Sequence, residues 1–352
     1  MMQTLLDQFS EIIRLAGTRR RPLRIRGSGS KDFYGGTPSG EVLDASGYRG
    51  IVDYAPEELV LTARAGTLLH EIEAVLAEQG QMLPFEPPHF GPRATLGGCV
   101  AAGLSGPRRA SSGAVRDFVL GVRMMNGLGE SLQFGGQVMK NVAGYDVSRL
   151  MAGSLGTLGL LLEVSLKVLP KPQAEATLQF ELNELQALEK MNRWAGQPFP
   201  ISATCYHDHV LTLRLSGAQS AIQATHAKLG GQLMVADDEF WHGIREQTSR
   251  FFREESSLWR VSLPSTATLQ LPSKQLIEWG GALRWVFTDE DGAKVRALAE
   301  QARGQATLFR SATKPKIIFH PLPKPLLQVH QRMKRAFDPQ GIFNIGRMYP
   351  DF

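Results

Sequence analysis

Cysteine is almost missing from this chain. Its two, Cys99 and Cys205, lie far apart and neither belongs to a C-x-x-C arrangement. No disulfide framework is therefore expected, and the chain alone cannot supply the four thiolates of an iron–sulfur cluster or a thiolate zinc site. Long apolar runs are missing too, since no window approaches the roughly 18–20 apolar residues of a membrane span. At the N-terminus, Leu5, Leu6, Phe9, Ile12, Ile13 and Leu15 recur at near-helical spacing, broken by Asp7 and Glu11. That pattern predicts an amphipathic helix and not a signal peptide. Runs of five or six like charges are also absent, and the net charge of +5 is mild, so no nucleic-acid partner is expected. Two nucleotide fingerprints fail as well. Asp32 stands where G-x-G-x-x-G would need its third glycine after Gly27 and Gly29, and no G-x-x-x-x-G-K-[ST] occurs, which excludes a nicotinamide Rossmann site and a P-loop.

What the chain has instead is glycine, concentrated with apolar residues between positions 86 and 172. Ala94 and Thr95 lead into Leu96-Gly97-Gly98 and the apolar run Cys99-Val100-Ala101-Ala102, a turn opening a helix. Free amides and the positive helix end would meet there, and the glycines would let a pyrophosphate approach the main chain, unless they serve only tight packing. Earlier, a strand ending at Arg26 runs into Gly27-Ser28-Gly29-Ser30-Lys31. A small-residue loop after a strand can form a nest of amides for phosphate, with the hydroxyls as further donors. Arg19, Arg20 and Arg21 read as a solvated basic edge.

At 352 residues the chain suggests two domains, given about 100–200 residues each. Short strands are expected at residues 41–44, 50–54 and 58–66. A helix capped by Thr67 follows, with Leu68, Leu69, Ile72, Val75 and Leu76 on its apolar face. Strands follow at 118–125, 131–134 and 160–169, the last apolar enough to be buried. The glycines at 153, 156 and 159 either pack on the sheet or let a ligand approach. Pro170-Lys171-Pro172 marks a boundary. Beyond it, strand 178–182, helix 184–195, strand 203–215 and a helix ending near Leu229 suggest a small α/β unit. The turn-rich apolar tail from Phe337 to Tyr349 is expected to fold back onto the first domain.

Several stretches together carry a resemblance: IRGSGSK, EPPHFGPRATLGGCVAAGLSGPRR, GAVRDFVLG, NVAGYDVSRLMAGSLGTLG, LPKP and FDPQGIFNIGRMY. They resemble the vanillyl-alcohol-oxidase, or PCMH-type, FAD-binding proteins over nearly the whole chain. More narrowly, with SLP at residues 262–264 and GGALRW at 280–285, they resemble the FAD-binding E subunits of bacterial glycolate oxidases. The resemblance implies an α+β fold in which two α+β subdomains hold FAD (residues 1–172), a smaller α/β cap follows (173–310), and a C-terminal segment returns to the FAD domain (311–352).

By motif match, Arg26, Gly27, Ser28, Gly29, Ser30 and Lys31 would wrap the pyrophosphate, with Thr95, Leu96, Gly97 and Gly98 meeting it from the other side. Ser105, Gly106, Gly113, Val115 and Asp117 would lie along flavin and ribose, and Glu163 and Val164 near adenine. No histidine stands in residues 27–31, where some relatives attach FAD, so the cofactor would be non-covalent. The implied activity is oxidation of glycolate, a 2-hydroxy acid, to glyoxylate. The implied partners are a larger FAD subunit and an iron–sulfur subunit. The implied place is the cytoplasm, peripheral on the inner membrane through the complex or free of it.

The chain departs from hydroxy-acid dehydrogenases of this type in lacking their late H-x-G-D-G-N-x-H segment. That absence points to the sister subunit as the main substrate site and leaves this chain as an electron relay. His89 is the candidate for a flavin or substrate contact. His207-Asp208-His209 would present two histidines on one strand face, as metal ligands or a polar surface, and no metal is expected. The other readings are an assembly protein with a vestigial flavin fold and a stand-alone reductase.

Overall fold

In the computed structural model the first 170 residues make two layers of unequal size. The structure describes residues 2–136, 146–235, 237–268 and 273–350. Residues 141–145 of the stretch NVAGYDVSRL thus lie outside the described residues. The helix Met2–Arg19 buries Leu6, Phe9, Ile13 and Ala16, one stripe at spacings of three and four. That stripe packs on the strands Leu23–Arg26 and Glu41–Asp44, a parallel pair, and Phe343 of the tail closes the same core. The second layer is a five-stranded sheet in the order Ile51–Ala55, Val60–Arg64, Leu160–Lys167, Val119–Met125, Ser131–Gly135, every pair antiparallel. Leu160–Lys167 is apolar on both faces because it is the central strand, with the helices Leu69–Glu78 and Leu96–Ala102 in the same core.

The helix expected to be capped by Thr67 begins one residue later, with Leu68 at the cap. Thr67 Oγ1 instead accepts from the amide of Gly50 at 2.8 Å, joining the helix start to the residue that leads into strand Ile51–Ala55.

The cap is one eight-stranded sheet in the order Gln232–Leu233, Ala174–Glu181, Val210–Gly217, Ile201–His207, Gln275–Glu278, Leu283–Phe287, Leu258–Ser262, Gln305–Arg310. All its pairs are antiparallel. Helix Glu184–Ala195 starts with a reciprocal cap, in which Asn183 Oδ1 accepts from Gln186 N and Gln186 Oε1 from Asn183 N. It packs on the outer sheet face with helix Gln219–Leu229, while Gly292–Gln301 covers the far end. The inner face carries Leu258, Leu276, Leu283, Trp285, Phe287 and Phe309, which pack in one cluster with Tyr34, Ala102, Leu104 and Leu155 of the first domain.

The single strand expected at 203–215 is a hairpin. Asp208 and His209 have φ of 51° and 62°, the left-handed pair that a two-residue primed turn requires. His207 and His209 therefore do not share a strand face. The segment 311–352 also contains a helix, Lys324–Phe337, before the tail.

Candidate flavin site

Strand Leu23–Arg26 delivers its loop into a trench lined by Arg24, Gly27, Ser28, Ser30, Thr95 and Gly98 among others. The tail anchors the loop from behind. Arg347 donates to the carbonyls of Lys31 (2.8 Å), Asp32 (3.2 Å) and Gly36 (3.1 Å), and Lys314 Nζ to those of Asp32 and Gly35, both at 3.0 Å. Arg26 Nε holds Asp32 at 2.7 Å. Among the described residues, the amides of residues 27–31 donate to no protein acceptor, and Arg24 Nε is buried without a partner. Unpaired donors beside two hydroxyls and a cationic edge leave a surplus of N–H for an anion with several oxygens, which fits a diphosphate.

The opposite wall corrects one expectation. The amides at the start of helix Leu96–Ala102 are not free: Leu96 N donates to Thr67 O (2.9 Å), Gly97 N to Ala65 O (2.7 Å) and Gly98 N to Thr95 Oγ1 (3.3 Å). The helix end is used by its own domain, which leaves the amides of the 27–31 loop as the unpaired donors along the trench among the described residues. Gly97 is a packing glycine, since a Cβ there would lie 2.8 Å from that of Ala65. Gly98 faces the trench, where a Cβ would meet only Thr95 Oγ1 at 3.1 Å. Gly27 must be small for the loop to reach this wall, because its Cβ would stand 2.5 Å from the same hydroxyl.

The trench continues past Gly98 to a cleft lined by Ala65, Gly97, Gly156, Gly159, Leu160 and Leu161. Glu163 and Val164 sit further along that strand and inside the sheet: Val164 is fully buried, and Glu163 accepts from Tyr48 OH at 2.8 Å. Gly113, Val115 and Asp117 build a turn in which Asp117 Oδ2 accepts from Ala114 N (2.8 Å) and Ser105 Oγ from Val115 N (3.1 Å). Ser105 and Gly106 line a second, narrow cavity against the cap, and Gly106 O accepts from Trp279 Nε1 at 3.1 Å.

Lys31 is buried, with Nζ 3.1 Å from the carbonyl of His89, and burial lowers its pKa against the opposing pull of Glu246. The His89 imidazole turns away to Glu73, Nε2 to Oε1 at 3.1 Å, and the His89 amide donates to Glu246 of the cap at 3.1 Å. His89 thus ties its loop to Glu73 and to Glu246 of the cap, and its ring lines neither the trench nor the narrow cavity.

Residues that sequence reasoning did not single out complete the trench: Arg24, Leu155, Asn344 and Arg347. Asn344 Oδ1 accepts from Ile25 N (2.8 Å) and its Nδ2 donates to Leu155 O (2.6 Å), stitching the two walls together. The signal available was the tail motif itself, in which a polar Asn and Arg stand three apart in an apolar turn.

A family model described as an FAD binding domain matches residues 4–135. Over 350 residues, 99% of this chain and 97% of the other protein, the chain is 49% identical to the glycolate oxidase subunit GlcE of Escherichia coli (strain K12). The chain belongs to the GlcE family. A shorter match, 32% identical over 174 residues, 49% of this chain and 37% of the other, is to the glycolate oxidase subunit GlcD of Bacillus subtilis (strain 168). A solved alkyldihydroxyacetonephosphate synthase superposes with a TM-score of 0.65 at 14% identity, over 96% of this chain and 74% of that one, a likeness of fold alone. As a GlcE-family member the chain is an FAD-binding oxidoreductase subunit with the α+β, PCMH-type fold. No helix among the described residues is long and apolar enough to cross a membrane.

Proposed function

We propose that this chain is the FAD-binding subunit of a complex that oxidises glycolate, or a closely similar 2-hydroxy acid, to the 2-oxo acid and passes the electrons to an iron–sulfur partner. The observation that carries the reading is the end-to-end 49% identity to a GlcE subunit, joined to a trench whose unpaired donors suit a diphosphate. FAD, when bound, supplies the two-electron acceptor, and the protein supplies position and electrostatics. Gly27, Ser28, Gly29, Ser30 and Arg24 would hold the phosphates, and Gly98 would let the cofactor lie against the opposite wall. Binding is non-covalent in this reading, because the loop has no histidine and the His89 ring is engaged by Glu73. Two buried cysteines, Cys99 and Cys205, give this chain no cluster of its own, so electrons leave to other subunits, among them a larger flavin subunit of the GlcD kind. The place in the cell is cytoplasmic, or peripheral on the membrane through that complex.

The test is an absorbance spectrum of the purified chain, before and after anaerobic glycolate. Flavin bands that bleach with glycolate support a complete oxidation site in this subunit. Bands that bleach only once the other subunits are added make it a relay, with the substrate site in the sister flavoprotein. Absence of flavin favours an assembly role. Release of all flavin into the supernatant on acid precipitation checks the non-covalent linkage.

A further inference from the structure

The narrow cavity between the first domain and the cap contains charge that the trench does not explain. Its lining includes Leu104, Ser105 and Gly106 on one side and Arg260, Glu278 and Trp285 on the other. Antiparallel register assembles the cap side from three separate strands. Arg260 stands opposite Trp285 and Trp285 opposite Leu276, and Glu278, two residues on, shares the face of Leu276. Leu283 and Phe309 add apolar surface, and Arg245 and Gln247 of the cap also reach the lining.

Neither charged group is satisfied there. The half-buried Arg260 guanidinium makes no hydrogen bond or ion pair among the described residues and only lies over the Trp279 ring at 5.2 Å. Glu278, 4% exposed, has among the described residues a single side-chain hydrogen-bond partner, the indole N–H of Trp285 at 2.7 Å. Burial pushes its carboxyl up to about 7, with Trp285 and Arg260 pulling the other way. A half-buried cation with no hydrogen-bonded anion, near a buried carboxyl with one neutral donor, leaves bonding capacity that a third polar molecule can complete.

We propose that this cavity binds a small 2-hydroxy carboxylate, its carboxylate paired with Arg260 and its hydroxyl donating to Glu278. This rests on the hydroxy-acid reading given above. Arg260 supplies a planar fork suited to a carboxylate. The position is suitable too. The chain that floors the trench at Gly98, Ala101 and Ala102 reaches the cavity wall at Leu104 within two residues, which sets the cavity next to that end of the trench.

The experiment titrates the FAD-loaded full chain, reduced with dithionite so that no turnover occurs, with glycolate and with acetate, following heat and flavin absorbance. The unaltered chain is expected to bind one glycolate and to prefer it to acetate. Arg260→Gln should weaken glycolate at least about tenfold, with part of the loss restored in Arg260→Lys. Glu278→Met should erase the preference over acetate. Unchanged glycolate affinity in Arg260→Gln, with flavin retained, overturns the proposal. Loss of flavin from both Arg260 variants overturns it as well, since the cavity would then hold part of the cofactor. If the assembled complex with the unaltered chain oxidises no glycolate, the hydroxy-acid reading itself fails. If it does, and Arg260→Gln leaves KM unchanged, this inference alone fails.

Discussion

Arg214 of the cap places Nη2 2.8 Å from Oε1 of Glu86 in the first domain, and Arg108 reaches the same carboxylate from the other side at 3.4 Å. Both guanidiniums are nearly buried, and Arg108 also holds Glu175 of the cap at 2.7 Å. The two domains are therefore joined through charge as well as through the aromatic face around Trp285 and Phe309.

Glu86→Gln leaves two buried cations short of an anion and should cost about 3–5 kcal/mol, as breaking a buried pair does. Burial alone would raise the Glu86 pKa, but Arg214 and Arg108 outweigh it and hold it below the usual carboxylate value. A depressed carboxylate stabilises the fold above its unfolded pKa and loses that contribution as pH falls through the folded one. Thermal melts of the wild type should fall on acidification below about pH 4.5, and Glu86→Gln should lack that part of the fall. Limited proteolysis should cut the variant faster between the domains.

Gly98→Leu fills the open side of the trench without meeting backbone in its own domain. Flavin affinity should drop by about tenfold or more, as 1–3 kcal/mol of overpacking implies, while far-ultraviolet circular dichroism stays unchanged. Full flavin content in the variant would remove Gly98 from the site.

Glu278 has the opposite sign from Glu86. Its folded pKa of about 7 exceeds the unfolded value, so the native state binds more protons between the two and stability falls as pH rises through that window. Arg260, Glu86 and the Cys205 thiol are the charged or titratable groups felt there, and only Arg260 favours the ionised form. Glu278→Gln should melt higher than the wild type at pH 8, and the difference should shrink toward pH 5.

At the hairpin, Asp208→Asn with His209→Gly suits both left-handed positions and should stabilise the fold on the order of 1 kcal/mol, read as a higher Tm. His207→Ala with His209→Ala should leave turnover of the assembled complex nearly unchanged. A large loss restored by added zinc would reverse this reading of the segment.

Local features were the most legible in the sequence. The glycine loop after Arg26, the turn that opens the helix at Leu96, and the buried strand Leu160–Lys167 each carry their cause within a few residues. What escaped depends on distant partners. The amides of Leu96 and Gly97 look free until Thr67 and Ala65 are folded against them. The hairpin at Asp208 hides inside an apolar run, because both its strands are central in the cap sheet and buried on both faces. Arg260 and Glu278 meet only through the register of three strands, which no spacing along the chain reveals.

The stitch made by Asn344 and Arg347 has a consequence for the order of events at the ribosome. Both walls of the trench are synthesised long before the residues that fasten them, since Ile25 and Leu155 are joined by a side chain 319 and 189 positions away. Contacts of such separation form late. A chain cut before Asn344 lacks the brace that sets the distance between the walls, so in the proposed site capture of flavin is expected only once translation has passed Arg347.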